Sequence, residues 1–148
     1  MNQKPFEQRL NTAIQQMLHD ASVSVQTLPQ CPQIKLWLVE PGAMQRPFTQ
    51  DEIVNIQNYP AYWAFCWASG QVLAREILAN PHWVKDKKVM DFGAGSGVVA
   101  IACRIAGARE VIACDIDADA LLSCEANAEL NKVNYRIHGD LFAFNEDL

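Results

Sequence analysis

The run Asp91-Phe92-Gly93-Ala94-Gly95-Ser96-Gly97 holds the densest chemistry in this 148-residue chain. Closely spaced glycines let a chain turn tightly and let backbone amides approach a ligand. The spacing is GxGxG. A dinucleotide fingerprint, GxGxxG, would need glycine where Val98 stands, and a P-loop is excluded because no GxxxxGK[ST] run occurs. Asp91 precedes the first glycine by two residues, where a carboxylate would repel a diphosphate but suit an ammonium group. Asp115 lies about 20 residues beyond the glycines, and an acid so placed can accept hydrogen bonds from both ribose hydroxyls. Gly139-Asp140 adds a third carboxylate, able to accept from an adenine amino group with Leu141 or Phe142 against the ring; Gly-Asp is also an ordinary turn. A tight turn binding nothing is the plain alternative for the glycines, and it leaves Asp91 and Asp115 unexplained.

These residues need a frame that holds them together. Lys88 to Phe92 reads as a short buried strand, Val98 to Ala106 as an apolar helix, and Glu110 to Asp115 as a second strand. A second helix follows from Ala118 to Leu130, then a third strand from Asn134 to His138. Strand, helix, strand, helix, strand predicts a parallel sheet with right-handed crossovers, its acids at the carboxyl ends of the strands. Upstream, Leu10, Ile14, Met17 and Leu18 stand at helical spacing within Phe6 to Leu18. Ser22 to Pro32, with two prolines, reads as a loop, and Ile34 to Val39 as a strand closed by Glu40-Pro41-Gly42. Thr49 and Glu52 form a capping box opening a short helix through Ile56. Ala61 to Leu78 has a helical pattern with an irregularity at Ser69-Gly70, which would set Trp63 and Trp67 on one face.

The strands, glycines and acids together resemble the class I S-adenosylmethionine-dependent methyltransferases over residues 85–142. That resemblance implies an α/β, Rossmann-like doubly wound parallel sheet. It gives the methionine end of S-adenosyl-L-methionine to Asp91, Gly93, Gly95 and Gly97, and the ribose to Asp115; the adenine is left to Asp140 by the reading of Gly139-Asp140 above. The run from Pro60 through Trp67 to Gln71 then resembles the segment before the glycine loop in lysine methyltransferases of the electron-transfer flavoprotein β subunit. Cys114 to Asp117, Asn127 and Leu130-Asn131 fit the same group, whose bacterial relatives carry the label predicted nicotinamide N-methylase. In that family the segment around Trp67 packs beside the cofactor, where an indole face suits a sulfonium cation; two core aromatics are the alternative. The expectation is a lysine-directed protein methyltransferase, with a small-molecule N-methyltransferase or a non-catalytic cofactor-binding module as rivals.

The family's substrate-gripping motif follows a fourth strand, and the sequence stops at Leu148, before one. The expected organisation is therefore an N-terminal helical and strand extension, 1–58, and a cofactor-binding half domain, 59–148, incomplete at its C-terminal side. The implied whole is a chain of around 200 residues or more, with the catalytic residues beyond Leu148. An exposed edge on the first parallel strand would invite a partner or a second copy. The net charge of −5 argues against nucleic acid and anionic membranes. No apolar run approaches the ~20 residues of a bilayer span, and no signal-peptide core opens the chain. Five scattered cysteines without a CxxC pair read as reduced, packed thiols of a cytoplasmic protein. His19, His82 and His138 stand isolated, and no metal is expected.

Overall fold

The computed structural model describes residues 4–146; the outermost residues of both expected segments, 1–3 and 147–148, lie outside the described residues. Five helices and five strands follow in the order α1 (Lys4–Ile14), β1 (Val23–Leu28), β2 (Cys31–Val39), α2 (Gln50–Asn58), α3 (Ala68–Ala79), β3 (Lys88–Phe92), α4 (Val98–Ile105), β4 (Glu110–Cys114), α5 (Ala118–Leu130) and β5 (Arg136–His138). From β3 onward these are the expected elements, shortened by a residue or two at some ends. The three later strands form a parallel sheet in the order β3-β4-β5. This is the α/β, Rossmann-like arrangement. Among the described residues β3 has a strand on one side only. Its first four residues are half-buried, whereas Val111 to Cys114 in the central β4 are buried.

Ser22 to Pro32 is not a loop. Val23-Ser24-Val25-Gln26-Thr27-Leu28 forms β1, which pairs antiparallel with β2. The two prolines, read as strand breakers, sit where a ladder tolerates them. Pro29 lies in the turn between the strands. Pro32 falls where the register jumps from Thr27↔Lys35 to Leu28↔Cys31, so no ladder donor is asked of it.

A second correction concerns Ala61 to Leu78, which is not one helix. Tyr62–Ala64 forms a single 3-10 turn, Phe65 is extended, and α3 starts only after Trp67 at its N-cap. Trp63 and Trp67 therefore share no helix face. Trp63 is 2% exposed and Trp67 56% exposed. Likewise α1 ends at Ile14, and Met17 and Leu18 reach the core from the turns that follow.

The hairpin shares its interior with the parallel sheet. Leu28, Ile34, Leu36 and Leu38 pack with Ala74, Ile101, Val111 and Ala113 in one cluster. A second cluster joins α1 (Leu10, Ile14) to Trp37, Trp63 and the α5 residues Leu122 and Ala126. All five cysteines are free thiols, four of them buried, and among the described residues no helix is long and apolar enough to cross a membrane.

The Thr49–Glu52 capping box is present in both directions. Glu52, 4% exposed, also binds the Arg46 guanidinium, which in turn holds Asp20 through Nε and Nη2. His19 is not isolated: its Nδ1 lies 3.2 Å from Glu52 Oε1. Arg46 and the Thr49 backbone hold the Glu52 carboxyl down at about 2. A carboxyl depressed in the folded state contributes stability above its unfolded pKa and loses it as pH falls through the folded value. We therefore expect Tm to fall between about pH 4.5 and 2 in the parent chain. Glu52→Gln should start from a lower Tm at neutral pH and show a flatter acid limb, measured by thermal denaturation across that range.

Candidate functional site

Parallel pairing of β3 with β4 puts Asp91 opposite Ala113 and Phe92 opposite Cys114, so Asp115 follows at the next step. Both acids line one cleft of about 450 Å³, with the glycine turn as its floor and the 62–67 segment as its opposite wall. The turn is pinned from beneath. The amides of Gly93 and Ala94 donate to Cys114 O at 2.8 and 3.0 Å, and the amide of Gly95 donates to Asp115 Oδ2 at 2.9 Å. Asp115 Oδ1 accepts from the Asp117 amide at 3.0 Å.

Gly93, Gly95 and Gly97 all have positive φ, at 73°, 53° and 78°, a region where L side chains are strained. Their surroundings differ. A Cβ on Gly93 or Gly95 would meet nothing within 4 Å, whereas one on Gly97 would lie 2.6 Å from Tyr135 Oη and 3.3 Å from Cys124 Sγ. Tyr135 is held there by donating to Cys124 O at 2.7 Å. Gly97 is thus a packing glycine, while Gly93 and Gly95 leave open space over a bare backbone.

Asp91 has a structural task as well. Gly97, the N-cap of α4, has no side chain to offer, and Asp91 Oδ2 accepts from the Ala100 amide at 3.0 Å in its stead. Burial, opposed by that hydrogen bond and reinforced by the charge of Asp115, pushes the Asp91 carboxyl up to about 6. Among the described residues no Lys, Arg or His lines the cleft, although Asp91, Asp115 and Asp117 all do. Such a site repels phosphate and favours a cation.

Trp67 stands on the cleft wall. Its indole Nε1 donates to Tyr62 O at 3.2 Å, and its ring lies 5.7 Å from Phe65 and 6.2 Å from Tyr62. Tyr62 and Phe65 line the cleft too, as does Ile116, 89% exposed beside Asp115. In the sequence these three stood only within the runs that carry the family resemblance, with no role of their own, since spacing alone does not show which side chain of such a run faces a cleft. Asp140 is not among the lining residues. It caps the 3-10 turn Leu141–Ala143 by accepting from the Phe142 amide at 2.9 Å, and Phe142 is 95% exposed. Of the histidines, His138 packs edge-on against Phe144 and His82 against Trp83. Among the described residues His19, Asp20 and Glu52 converge as metal-type ligands, but Arg46 already occupies their carboxylates.

Residues 76–147 match the family model for ribosomal protein L11 methyltransferase (PrmA). The chain is 45% identical over 73 residues to the electron transfer flavoprotein beta subunit lysine methyltransferase of Homo sapiens, covering 49% of this chain and 28% of that protein. It is 35% identical over 133 residues to the homolog from Caenorhabditis elegans, covering 84% of this chain and 49% of that protein. The chain thus spans about half the length, or less, of these curated relatives. The solved ribosomal protein L11 methylase of Lactobacillus delbrueckii subsp. bulgaricus is 32% identical, with a TM-score of 0.46 over 51% of this chain and 39% of that one. The class that these sequence matches define is that of the methyltransferases, as the glycine turn and strand-end acids suggest. Within that class, the chain resembles the lysine methyltransferases of the electron transfer flavoprotein beta subunit.

The two kinds of glycine predict different penalties. Gly93→Ala should cost about 1–2 kcal/mol, the strain of a left-handed alanine in open space. Gly97→Ala should cost more, because Tyr135 and Cys124 must also move. Urea denaturation of both variants checks the order.

Proposed function

We propose that the cleft seats S-adenosyl-L-methionine and that the protein containing this chain transfers its methyl group to a lysine side chain of a protein. One observation carries the first part. Two carboxylates at adjacent strand ends flank a bare, open glycine backbone, with no basic side chain along the cleft among the described residues. The volume, about 450 Å³, suits a ligand of nucleoside size. Asp91 takes the ammonium group, which offsets the cost of its own burial, and Asp115 accepts from the ribose hydroxyls. Ile116 and Trp67 offer apolar faces to the flat and cationic parts of the ligand. Once bound, S-adenosylmethionine supplies a methyl group activated by its sulfonium. No acid–base residue is assigned, since the displacement asks chiefly for alignment and a neutral amine. The lysine acceptor rests on the names of the relatives.

Calorimetric titration with S-adenosylmethionine tests the seat. Asp115→Ala should weaken binding by about 1–3 kcal/mol through lost ribose hydrogen bonds, and Gly95→Val should weaken it by filling the floor. No measurable binding to the parent chain sinks the assignment.

The raised pKa of Asp91 adds a pH signature. The ligand ammonium stays charged throughout, but the carboxyl of the unbound chain protonates as pH falls through about 6. Affinity should hold above pH 7 and decline towards pH 5, with proton release on binding near pH 6, read in buffers of different ionisation enthalpy. Asp91→Asn should bind weakly at every pH and lose the slope.

A further inference from the structure

The outer edge of the hairpin meets a helix where a third strand would otherwise stand. The amides of Lys35 and Trp37 point to α5, which receives them on two asparagines one helical turn apart. Asn131 Oδ1 accepts from the Lys35 amide at 3.0 Å while its Nδ2 donates to Lys35 O at 2.6 Å. Asn127 Oδ1 accepts from the Trp37 amide at 2.8 Å. A carboxamide carries the same donor and acceptor as a peptide group, so this pair imitates a neighbouring strand.

Asn127 reaches further. Its Nδ2 donates to Ser96 O at 2.9 Å and to Ser123 Oγ at 3.2 Å. Ser96 lies between Gly95 and Gly97 in the turn that floors the cleft. Asn127 is 0% exposed and Ser96 5%. Water cannot take over either bond, and movement at one end of the carboxamide strands a buried polar group at the other.

We infer that Asn127 is a positioning residue that couples the β1–β2 hairpin to the cofactor seat, because one buried carboxamide holds both the Trp37 amide and the Ser96 carbonyl. The inference rests on reading the cleft as an S-adenosylmethionine site. Asn127 is not among the residues lining that cleft; it determines where the Ser96 peptide lies. By linkage, whatever tightens or loosens the hairpin changes cofactor affinity, and the cofactor steadies the hairpin in return.

Amide hydrogen exchange on the whole chain, with and without saturating S-adenosylhomocysteine, tests this. The expected result is exchange at the Trp37 amide slowed about fivefold or more by ligand, although neither Trp37 nor Lys35 lines the cleft. Asn131→Ala removes the pair to Lys35 and the side chain's donation to Asn127 O at 2.8 Å and no bond to the glycine turn, yet should raise the S-adenosylhomocysteine Kd about threefold or more. Asn127→Asp keeps an acceptor for Trp37 but cannot donate to Ser96. It should raise Kd about tenfold or more and abolish the ligand-dependent slowing at Trp37. In the double variant the Asn131 substitution should add little further. If Asn127→Asp does not fold, the parent and Asn131→Ala measurements decide alone. Slowed exchange at Gly95 and Gly97 with no change at Trp37 overturns the coupling and leaves the cleft assignment standing. Failure of S-adenosylhomocysteine to bind overturns the cleft assignment instead. The coupling is then judged in the ligand-free chain, where Asn131→Ala must speed exchange at the Gly97 amide, and an unchanged rate there overturns it.

Discussion

Asp91 and Asp115 are held at the ends of two neighbouring strands, facing a common cleft in which no described residue offers a positive side chain to either. Parallel hydrogen bonding leaves this spacing no freedom, because the register that pairs Asp91 with Ala113 also determines where β4 releases Asp115. The turn between them must therefore fold back within a few residues, and positive φ at Gly93, Gly95 and Gly97 is how it does so. Most of the remaining architecture supports that constraint. Cys114 O and Asp115 Oδ2 receive the amides of the turn, and Asp91 caps the helix the turn leads into.

Asp91 illustrates a conflict between stability and binding. Burying a carboxylate beside another acid disfavours its charged form, and one helix-capping hydrogen bond only partly opposes this. A cationic ligand, as proposed above, would remove the difficulty by supplying the missing charge. The Arg46 cluster shows the opposite solution, where carboxylates that meet near the N-terminal elements are matched by a guanidinium from the chain itself.

The aromatic segment belongs to the cleft as much as to the scaffold. Trp63 fills the core between α1 and α5 while the ring of Trp67, four residues on, stays on the cleft wall. The extended break at Phe65 allows one short segment to do both. Through Asn127 and Asn131, α5 supports the hairpin on one side and the glycine turn on the other. An element that looks like a crossover helix thereby joins the N-terminal residues to the floor of the cleft.

What the amino-acid order settles by itself is local: β3, the glycine turn, α4, β4 and α5 each announce themselves through short-range pattern, and Asp91 and Asp115 are legible because strand ends and glycines lie beside them in sequence. Val23 to Leu28 was hidden because a strand beside prolines is recognisable only through the partner that leaves those prolines unpaired. The break before α3 was hidden because an apolar run fits a helix as well as a turn buried at Trp63 and exposed at Trp67. Asn127 could not be read as a joint, since its partners Trp37 and Ser96 lie 90 and 31 residues away. Only tertiary packing brings such groups within hydrogen-bond range, and only burial makes their bonds costly to lose.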